Sequence, residues 1–512
     1  MCGFTAYVGA GGQSRLHEAR RTAELLRHRG PDDAAAHAWT HAALAHRRLS
    51  IIDVGGGRQP LANEDGSIGL VCNGEIYNFR SLRSRLERKH RFRSWSDSEV
   101  IVHLYEESGP ACVRELDGMF AFVLTDGERF LAARDPFGIK PLYVGRDASG
   151  SGLWFASELR ALPDGCESVA EVQPGTLMTE RGVERWFHPP WLDPPSDPDP
   201  PDTAALRRSL ERAVEKRLMS DVPIGVFLSG GLDSSAIAAL MKRSLPVLHS
   251  FAVGLEGSPD LAAARRVAKH VGTEHHEYVY TRLEAASAIE QVVEHLESYD
   301  AALIESSVPC WFVSKLAAEY VKVVLSGEGA DELFGGYRYF ADIADPTELH
   351  RECVRLLLGL HNMNLQRVDR MTMAHALEGR VPFLDPELVA LAMRQDPRLK
   401  TSGHERPEKW MLRRAVSDLL PFEIAWRTKE EFAHGSGAAG VLSEHAEKSV
   451  TDADFARRHE LFPVDTPTTK QGFAYRRIFE EKFPGEARRR TVGRWRGRAP
   501  SPEETKWRTQ EQ

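Results

Sequence analysis

The chain has 512 residues, an apolar fraction of 42% and a formal net charge of −8, which together predict two or three domains of ordinary size. We expect no membrane segment, because no stretch approaches the roughly 20 apolar residues that a spanning helix needs, and no basic-then-apolar signal segment at the start. The negative charge excludes a general nucleic-acid footprint. Six scattered cysteines without a CxxC pair fit a reducing compartment, and we predict a cytoplasmic protein.

The second residue of the chain is a cysteine, and its position suggests a catalytic role. A small second residue favours removal of the initiator methionine, which would leave Cys2 with a free α-amino group. That amine, with an unperturbed pKa of about 7.7 to 8.0, can accept the thiol proton, so that one residue supplies both nucleophile and base. The alternative is an ordinary cysteine within a strand.

Polar residues further along fit the site that such a nucleophile needs. Asn73 and Gly74 directly follow a strand-like run, and a side-chain amide next to a backbone N–H can form an oxyanion hole. Arg48 and Asp97 can bind the carboxylate and ammonium groups of an amino acid through charge-assisted hydrogen bonds. This context favours the catalytic interpretation of Cys2.

The N-terminal half contains short strand-like segments interrupted by helical ones. Strands in a meander with separated helices predict an α+β sandwich. The predicted strands are 3–8, 68–72, 119–124, 129–133, 142–145 and 153–156, and the predicted helices are 15–27, 79–89 and 98–107.

A proline-rich segment divides the chain. Seven prolines lie between residues 189 and 201, and they disfavour helix and central strand in favour of extended backbone. We therefore predict one domain over residues 2–188, a linker over 189–202 and a second domain over 203–484. Six arginines lie between residues 488 and 498, and we expect the stretch 485–512 to be a basic, disordered tail.

After the linker, strands alternate with helices. Leucine or valine recurs every four residues from Leu206 to Leu218, which predicts a helix with one apolar face, capped by Asp202 or Thr203. The alternation predicts a parallel, doubly wound sheet whose ligands bind beyond the carboxyl ends of its strands. The predicted strands of this half are 224–228, 248–253 and 321–325.

The first of these strands runs into the loop SGGLDSS, residues 229–235. At a junction of strand, loop and helix, backbone N–H groups and the helix dipole face an anion, and glycines allow its close approach. The serines add hydroxyl donors, and Asp233 offers a carboxylate to Mg²⁺. No lysine closes the loop as in GxxxxGK[ST], so the pattern predicts cleavage of ATP to AMP and pyrophosphate. The alternative is a glycine-rich turn before a helix.

The third strand runs into a second glycine-rich loop, SGEGADE, residues 326–332. Because parallel strands end at one edge of a sheet, we expect the two loops to meet there. Asp233 and Asp331 would then share a Mg²⁺ ion bound to the phosphates of ATP. The alternative is a turn with an acidic helix cap.

Taken together, these residues resemble the glutamine-dependent asparagine synthetases, from Cys2 to about Pro484. The motifs MCGF, RHRGPDD, HRRLSIIDV, NGEIYNF, SDSEV, GMFAF, RDPFGIKPLY and ASELRAL are similar to the family's class II amidotransferase domain. The motifs SGGLDSS, LHSFAVGL, SGEGADELFGGY, EGRVPFLD and RTKEEF are similar to its synthetase domain. The resemblance implies an αββα N-terminal nucleophile hydrolase followed by an α/β ATP-pyrophosphatase domain, with ATP and Mg²⁺ as cofactors and a homodimer as the assembly.

The resemblance also implies roles for individual positions. The catalytic residues would be Cys2, Asn73, Gly74, Glu328 and Lys429. Glutamine would be bound by Arg48, Asn73, Gly74, Glu75 and Asp97. ATP would be bound by Leu228, Ser229, Gly230, Gly231, Asp233, Ser234, Ser235, Val253, Ser326 and Gly327. Mg²⁺ with pyrophosphate would be held by Asp233 and Asp331.

The implied reaction joins the two halves. Cys2 releases ammonia from glutamine, and an interior passage, with walls such as Met119 and Phe120, carries it to the second site. There ATP converts the aspartate side-chain carboxylate into an acyl adenylate, and ammonia displaces AMP. The passage walls have an alternative interpretation as plain interdomain core.

One segment departs from the family pattern. Many close members have Thr-Thr-x-Arg-Ala-Ser-Thr-Pro before the third strand, whereas residues 302–309 of this chain read ALIESSVP. Glu305 therefore stands at the position of the arginine. Its negative charge would repel an aspartate carboxylate, which the arginine would attract. Arg338, Arg370 or Arg380 are candidates for the missing charge, and Glu305 for binding an ammonium group. Two alternatives therefore stay open: an amidotransferase for another small carboxylic acid, and a non-catalytic regulator, which the intact site residues disfavour.

Overall fold

The computed structural model describes residues 2–400, 407–429, 432–495 and 497. Its strands are β1 Cys2–Gly9, β2 Asp33–Trp39, β3 Ala42–Arg48, β4 Leu61–Ala62, β5 Gly69–Ile76, β6 Gly118–Thr125, β7 Phe130–Arg134, β8 Tyr143–Arg146, β9 Gly152–Ala156, β10 Glu167–Glu171, β11 Thr176–Thr179, β12 Gly182–Arg185, β13 Ile224–Phe227, β14 His249–Gly254, β15 Glu274–Val279, β16 Val323–Leu325 and β17 Glu378–Arg380.

Most α-helices of the described residues lie in the second half of the chain. They are α1 Gly12–Glu24, α2 Phe79–Leu86, α3 Glu99–Ser108, α4 Thr203–Lys216, α5 Leu232–Ser244, α6 Pro259–Val271, α7 Arg282–Ser287, α8 Ile289–Leu296, α9 Ala301–Ala317, α10 Ala330–Phe334, α11 Pro346–Gly359, α12 Asn364–Met373, α13 Pro386–Arg394, α14 Trp410–Val416, α15 Phe422–Ala425, α16 Phe432–Gly435, α17 Ala438–Ser449, α18 Asp452–Ala456, α19 Arg458–Leu461, α20 Lys470–Lys482 and α21 Glu486–Arg489.

Two antiparallel sheets form the N-terminal half. One has the strand order β10-β8-β9-β1-β3-β2 and the other β12-β11-β7-β6-β5-β4. Alternate residues of β1 (Phe4, Ala6 and Val8) pack against Val71 and Val123 of the facing sheet, as the two-residue period of a strand requires. The opposite faces are covered by α1 on one side and by α2 and α3 on the other. The predicted αββα sandwich is therefore confirmed.

A parallel sheet forms the second half, with the strand order β15-β14-β13-β16-β17. The predicted α/β class is confirmed, and the three predicted strands correspond to β13, β14 and β16. Helix α4 begins as expected, because an oxygen of Asp202 accepts a hydrogen bond of 2.7 Å from the N–H of Ala205. Since β13 and β16 are neighbours in register, the loops that follow them emerge side by side. No helix in the described part of the chain has both the length and the apolar character of a membrane span.

Segments that the sequence marks as linker and tail contact the rest of the protein. Trp191, in the proline-rich segment, is buried and stacks against Phe137, with 6.4 Å between ring centroids. Part of the stretch expected to be disordered forms helix α21. Beyond it, the N–H of Trp495 donates to Asp300 at 2.8 Å, and its ring lies 5.3 Å from that of Tyr337. Residues 496 and 498–512 lie outside the described part.

Buried ion pairs join the two halves. The guanidinium of Arg29 binds Glu158 at 2.8 Å and, across the interface, Asp369 at 2.9 Å. Arg370 binds Glu158 at 2.9 Å and Glu297 at 2.9 Å. All five side chains are almost fully buried, so each charge depends on its partners for the solvation that water does not supply.

We expect Asp369→Ala to destabilise the protein by about 3 to 5 kcal/mol, because the substitution leaves the buried Arg29 short of a counter-charge. Urea unfolding followed by circular dichroism would measure the loss. Arg457→Ala is the matched control, since it removes a pair with Glu460 whose side chains are 57% and 68% exposed, and its unfolding midpoint should stay at the wild-type value. Equal midpoints for the two variants would contradict the structural role of the interdomain pairs.

Candidate active site

Cys2 lies at the start of β1, where the two sheets of the sandwich approach each other. Its backbone N–H donates to the Oδ1 of Asn73 at 3.1 Å, which joins β1 of one sheet to β5 of the other. The residue is buried, and burial raises the pKa of the thiol because it desolvates the thiolate. Reaction as a thiolate at neutral pH therefore requires a nearby base.

The neighbouring residues of β5 provide hydrogen-bond donors. The Nδ2 of Asn73 is buried and has no hydrogen-bond partner among the described residues, an expensive arrangement unless a ligand accepts from it. A Cβ at Gly74 would come within 2.2 Å of the carbonyl oxygen of Met119, so the close pairing of β5 with β6 requires glycine here. The positions of Asn73 and Gly74 therefore fit the oxyanion hole that the sequence predicts, and their role in catalysis stays a prediction.

Three further charged residues surround this site. Arg48 pairs with Cys2 in the β1–β3 register, and its guanidinium donates to the carbonyl oxygens of residues 52–54, which orient it. Asp97 accepts a hydrogen bond of 2.6 Å from the N–H of Ile76. Burial, together with Glu378 and Asp97, raises the pKa of Glu75 well above its usual value.

The two glycine-rich loops meet in one cleft, as the sequence predicts. The described residues that line it include these predicted ones: Leu228, Ser229, Gly231, Asp233, Ser234, Val253, Ser326, Gly327, Glu328, Asp331 and Lys429. Two predicted ATP ligands are not among the lining residues. Gly230, at a φ of 72°, packs against α6, where a Cβ would lie 2.5 Å from Ala263, and the Ser235 side chain is fully buried.

A lysine that the sequence analysis missed lies between the two acidic residues of the cleft. The ammonium of Lys409 binds the Oδ1 of Asp331 at 2.6 Å and also binds Asp233. Burial disfavours its charge, but the two carboxylates hold the pKa of Lys409 above its usual value. Lys429 binds Asp331 as well, and the two lysines hold the pKa of that carboxyl well below its usual range in spite of burial.

The acidic pair fits a magnesium ion. Mg²⁺ prefers carboxylate oxygens, and the Oδ1 of Asp233 is buried without a hydrogen-bond partner among the described residues. The lysines that bind these carboxylates are also suited to phosphate oxygens. The donor set therefore accommodates both the cation and the polyphosphate of a nucleotide.

A second charge pair stands on another wall of the cleft. Arg367 of α12 donates to the Oε1 of Glu328 at 2.7 Å, and both residues line the cleft. The sequence analysis did not identify Arg367, because an arginine in an amphipathic helix carries no local signal of its partner. Its guanidinium is largely buried, so it is available only to groups inside the cleft.

The segment that departs from the family pattern also faces the cleft. Ala302, Leu303 and Glu305, in the first turns of α9, line it, and the carboxylate of Glu305 accepts a hydrogen bond of 2.9 Å from Gln471.

The arginines suggested as replacements for the missing charge lie elsewhere. Arg370 and Arg380 are fully buried, the first in the interdomain ion pairs described above. Arg380 binds Glu378 at 2.5 Å and lies 3.6 Å from Glu75. Arg338 is not among the lining residues of the cleft. Neither Arg370 nor Arg380 lines it either, so the suggestion that one of these three supplies the charge is not supported.

Comparison with known proteins defines first the class and then the family. Residues 1–184 match the glutamine amidotransferase domain model, which makes the N-terminal half an amidotransferase domain. Residues 205–345 and 341–506 match the asparagine synthase model. The chain belongs to the asparagine synthase family.

Several relatives extend this similarity over nearly the whole chain. Asparagine synthetase [glutamine-hydrolyzing] 2 of Arabidopsis thaliana is 45% identical over 96% of this chain and 89% of its own length. The asparagine synthetase [glutamine-hydrolyzing] of Triphysaria versicolor is 46% identical over 96% and 88%. A solved glutamine phosphoribosylpyrophosphate amidotransferase from B. subtilis is 20% identical over 54% of this chain and 65% of its own, with a TM-score of 0.32, too low to support a conclusion.

We expect Lys409→Met to lower the stability of the protein by about 2 kcal/mol in metal-free buffer, because the carboxylates of Asp233 and Asp331 lose the cation between them. Mg²⁺ should then raise the melting temperature of this variant more than that of the wild type, since the ion replaces the lost charge. Differential scanning calorimetry with and without Mg²⁺ measures both effects. Lys448→Met, on an exposed helix surface, is the control, and an equal response to Mg²⁺ in all three proteins would contradict the prediction.

A pH-dependent prediction concerns Asp97, whose pKa burial raises to about 6. A carboxyl whose folded-state pKa exceeds its unfolded value of about 3.9 contributes stability at low pH and loses it as the pH rises through the folded value. We therefore expect Asp97→Asn to gain about 2 to 3 kcal/mol relative to wild type between pH 4 and pH 7. Urea unfolding at both pH values measures this difference. Asp164→Asn, on a side chain that is 93% exposed, controls for the substitution, and a pH-independent difference for Asp97→Asn would disprove the prediction.

Proposed function

We propose that this protein is a glutamine-dependent asparagine synthetase, which transfers nitrogen from glutamine to the side-chain carboxylate of aspartate and splits ATP into AMP and pyrophosphate. The observation that carries the proposal is the 45% identity over 96% of the chain with a glutamine-hydrolysing asparagine synthetase. The geometry supports it, because each half contains a cluster of polar groups suited to one of the two half-reactions.

In the N-terminal half, the thiol of Cys2 is the nucleophile that attacks the side-chain amide of glutamine. The α-amino group freed by removal of Met1 takes the thiol proton and returns it to the leaving ammonia. The Nδ2 of Asn73 and the N–H of Gly74 donate to the oxyanion of the tetrahedral intermediate. Arg48 and Asp97 bind the α-carboxylate and α-ammonium of the substrate, with Glu75 beside them.

In the second half, the cleft binds ATP and activates the acceptor. The loop at 229–235 receives the pyrophosphate, and residues such as Val253 and Ser326 surround the AMP portion. When bound, Mg²⁺ at Asp233 and Asp331 would neutralise charge on the departing pyrophosphate. Lys409 and Lys429 donate to the same phosphates, and Glu328, positioned by Arg367, supports adenylation and amidation.

The two half-reactions are assigned to the two domains that the sequence predicts. We propose residues 2–188 as the glutaminase, 189–202 as the linker and 203–484 as the synthetase. Met119 packs in one apolar cluster with Phe137 and Ile139 of its own half and with Leu232 of the other half, which suits the wall of a dry ammonia passage. A cytoplasmic location fits the free state of all six cysteines, and a homodimer stays a prediction.

The acceptor is the point at which an alternative was left open. The relatives favour aspartate, and the structure offers Arg367 as a cation inside the cleft for the acceptor's carboxylate. Glu305, which the departure from the family pattern introduces, accepts a hydrogen bond of 2.9 Å from the side-chain amide of Gln471, which orients its carboxylate. Amidation of a different small carboxylic acid is the less favoured alternative.

The decisive assay measures AMP and pyrophosphate release with ATP, Mg²⁺ and glutamine over a panel of small carboxylic acids. We expect turnover with aspartate and formation of asparagine. Turnover with another acid but not with aspartate would replace the proposed function with the alternative.

We expect Cys2→Ala to abolish glutamine-dependent synthesis and to retain synthesis from added ammonia, because the two half-reactions use separate sites. The same AMP and asparagine assays, run with glutamine and with ammonium chloride, measure this. Cys112→Ala, which changes a buried cysteine in the short 3-10 helix Gly109–Glu115 of the same half, is the control and should retain both activities. Loss of the ammonia-dependent activity in a folded Cys2→Ala protein would contradict the two-site mechanism.

A further inference from the structure

A group of four metal-ligating side chains lies in the N-terminal half, outside the glutaminase site. Glu64 follows β4, His90 follows α2, and His103 and Glu106 lie on one face of α3. One donor atom from each side chain lies within 4.8 Å of all the others. Three separate segments of the chain therefore converge on one point.

The imidazole rings point the same nitrogen toward this point. The Nδ1 of His103 lies 2.8 Å from the Oε2 of Glu106, and the Nδ1 of His90 lies 3.3 Å from the same oxygen. The carboxylate of Glu64 closes the group, at 3.6 Å from the Nδ1 of His90 and 3.9 Å from that of His103. In a tetrahedral zinc site, ligand bonds of about 2.0 to 2.2 Å place the donor atoms about 3.3 to 3.6 Å apart. Small side-chain rotations are enough to reach that geometry.

Surrounding groups hold these ligands in place. The Nε2 of His103 lies 3.7 Å from a carboxylate oxygen of Glu99 and is buried without a hydrogen-bond partner among the described residues. Glu99 is itself fixed by the N–H groups of Arg93 at 2.6 Å and Ser94 at 2.8 Å. A carboxylate behind the distal nitrogen of a histidine is the usual support of a metal ligand.

The two glutamates are oriented from behind as well. The Nδ2 of Asn63 donates to the Oε1 of Glu106 at 3.0 Å, which leaves the Oε2 directed at both imidazoles. The N–H of Arg91 donates to the Oε1 of Glu64 at 2.7 Å. These contacts set the positions of the ligands before any ion binds, which reduces the cost of binding.

We propose that Glu64, His90, His103 and Glu106 bind a divalent transition-metal ion, with Zn²⁺ as the ion that best suits two imidazoles and two carboxylates. Four protein ligands leave no open position, so the site is structural and not catalytic. The ion would join the loop after β4 and the segment between α2 and α3 to helix α3. That segment carries Asp97, so the metal would also fix one wall of the glutaminase site.

A second group of potential ligands has to be distinguished in the experiment. His249, Glu274 and His276 lie on neighbouring strands of the parallel sheet. The Nδ1 of His249 lies 3.1 Å from the Nε2 of His276, so the two imidazoles can hydrogen-bond to each other. The side chain of Glu274 is 60% exposed. Only three protein ligands are present in this group, and it serves as the internal control.

The test uses the full-length protein, stripped with a chelator and dialysed into metal-free buffer. Zinc is added, unbound metal is removed, and the bound metal is counted by inductively coupled plasma mass spectrometry. Affinity is measured by competition with a chromophoric chelator, and Co²⁺ substitution reports tetrahedral coordination through its visible absorption. We expect about one tightly bound zinc ion per chain at a closed four-ligand site.

Substitutions locate the ion. Glu64→Gln and His90→Asn change partly exposed ligands and should leave the fold intact, yet each should weaken zinc binding by at least about 10- to 100-fold. Added zinc should raise the melting temperature of the wild type and not of these variants. His249→Asn should behave like the wild type. Absence of tight zinc binding, or binding that His249→Asn abolishes and His90→Asn leaves unchanged, would overturn the proposal.

Discussion

Burial of charge at the interface between the two halves is the constraint on which the rest of the structure depends. A buried ion is tolerated only when partners replace its hydration, and here the partners come from opposite halves. Arg29 is paired with Glu158 and Asp369, and Arg370 with Glu158 and Glu297. Neither half can move far from the other without leaving one of these charges unpaired.

Strand β17 extends this constraint to both sites. The side chain of Arg380 lies 3.6 Å from Glu75, next to the proposed glutaminase residues. Its carbonyl oxygen accepts a hydrogen bond of 2.9 Å from the N–H of Ser326, which lines the cleft proposed to bind the nucleotide. One residue thus contacts elements of both sites. The proposed passage for ammonia requires a fixed relation of this kind between the two sites, because a small uncharged molecule is lost through any gap that opens.

Charge compensation also organises the nucleotide cleft. Asp233 and Asp331 are brought together by neighbouring strands, and Lys409 and Lys429 lie against them. The arrangement prepares a place for a cation and for phosphate oxygens without leaving the carboxylates to repel each other. Glu328 and Arg367 repeat the same principle on another wall of the cleft.

The sequence by itself was sufficient to predict those structural elements and site loops that are formed by contiguous residues. Local patterns predicted β1, the cap at Asp202, the two glycine-rich loops and the position of Cys2. Other elements had no such signal. Strands β2 and β3 come from the alanine-rich stretch 33–48, whose residues have little intrinsic preference for strands and become strands because β1 and a second core face lie beside them.

Only the tertiary structure decided which isolated residues meet. Lys409 lies 78 positions after Asp331 along the chain, and its pairing with that carboxylate follows from the packing of α14 beside the loop. The convergence of Glu64, His90 and His103 depends in the same way on how α2 and α3 cover their sheet. The physical reason is that a short motif is positioned by its own backbone, whereas a charge pair or a metal site between distant residues exists only when the packing of the core has brought its members into contact.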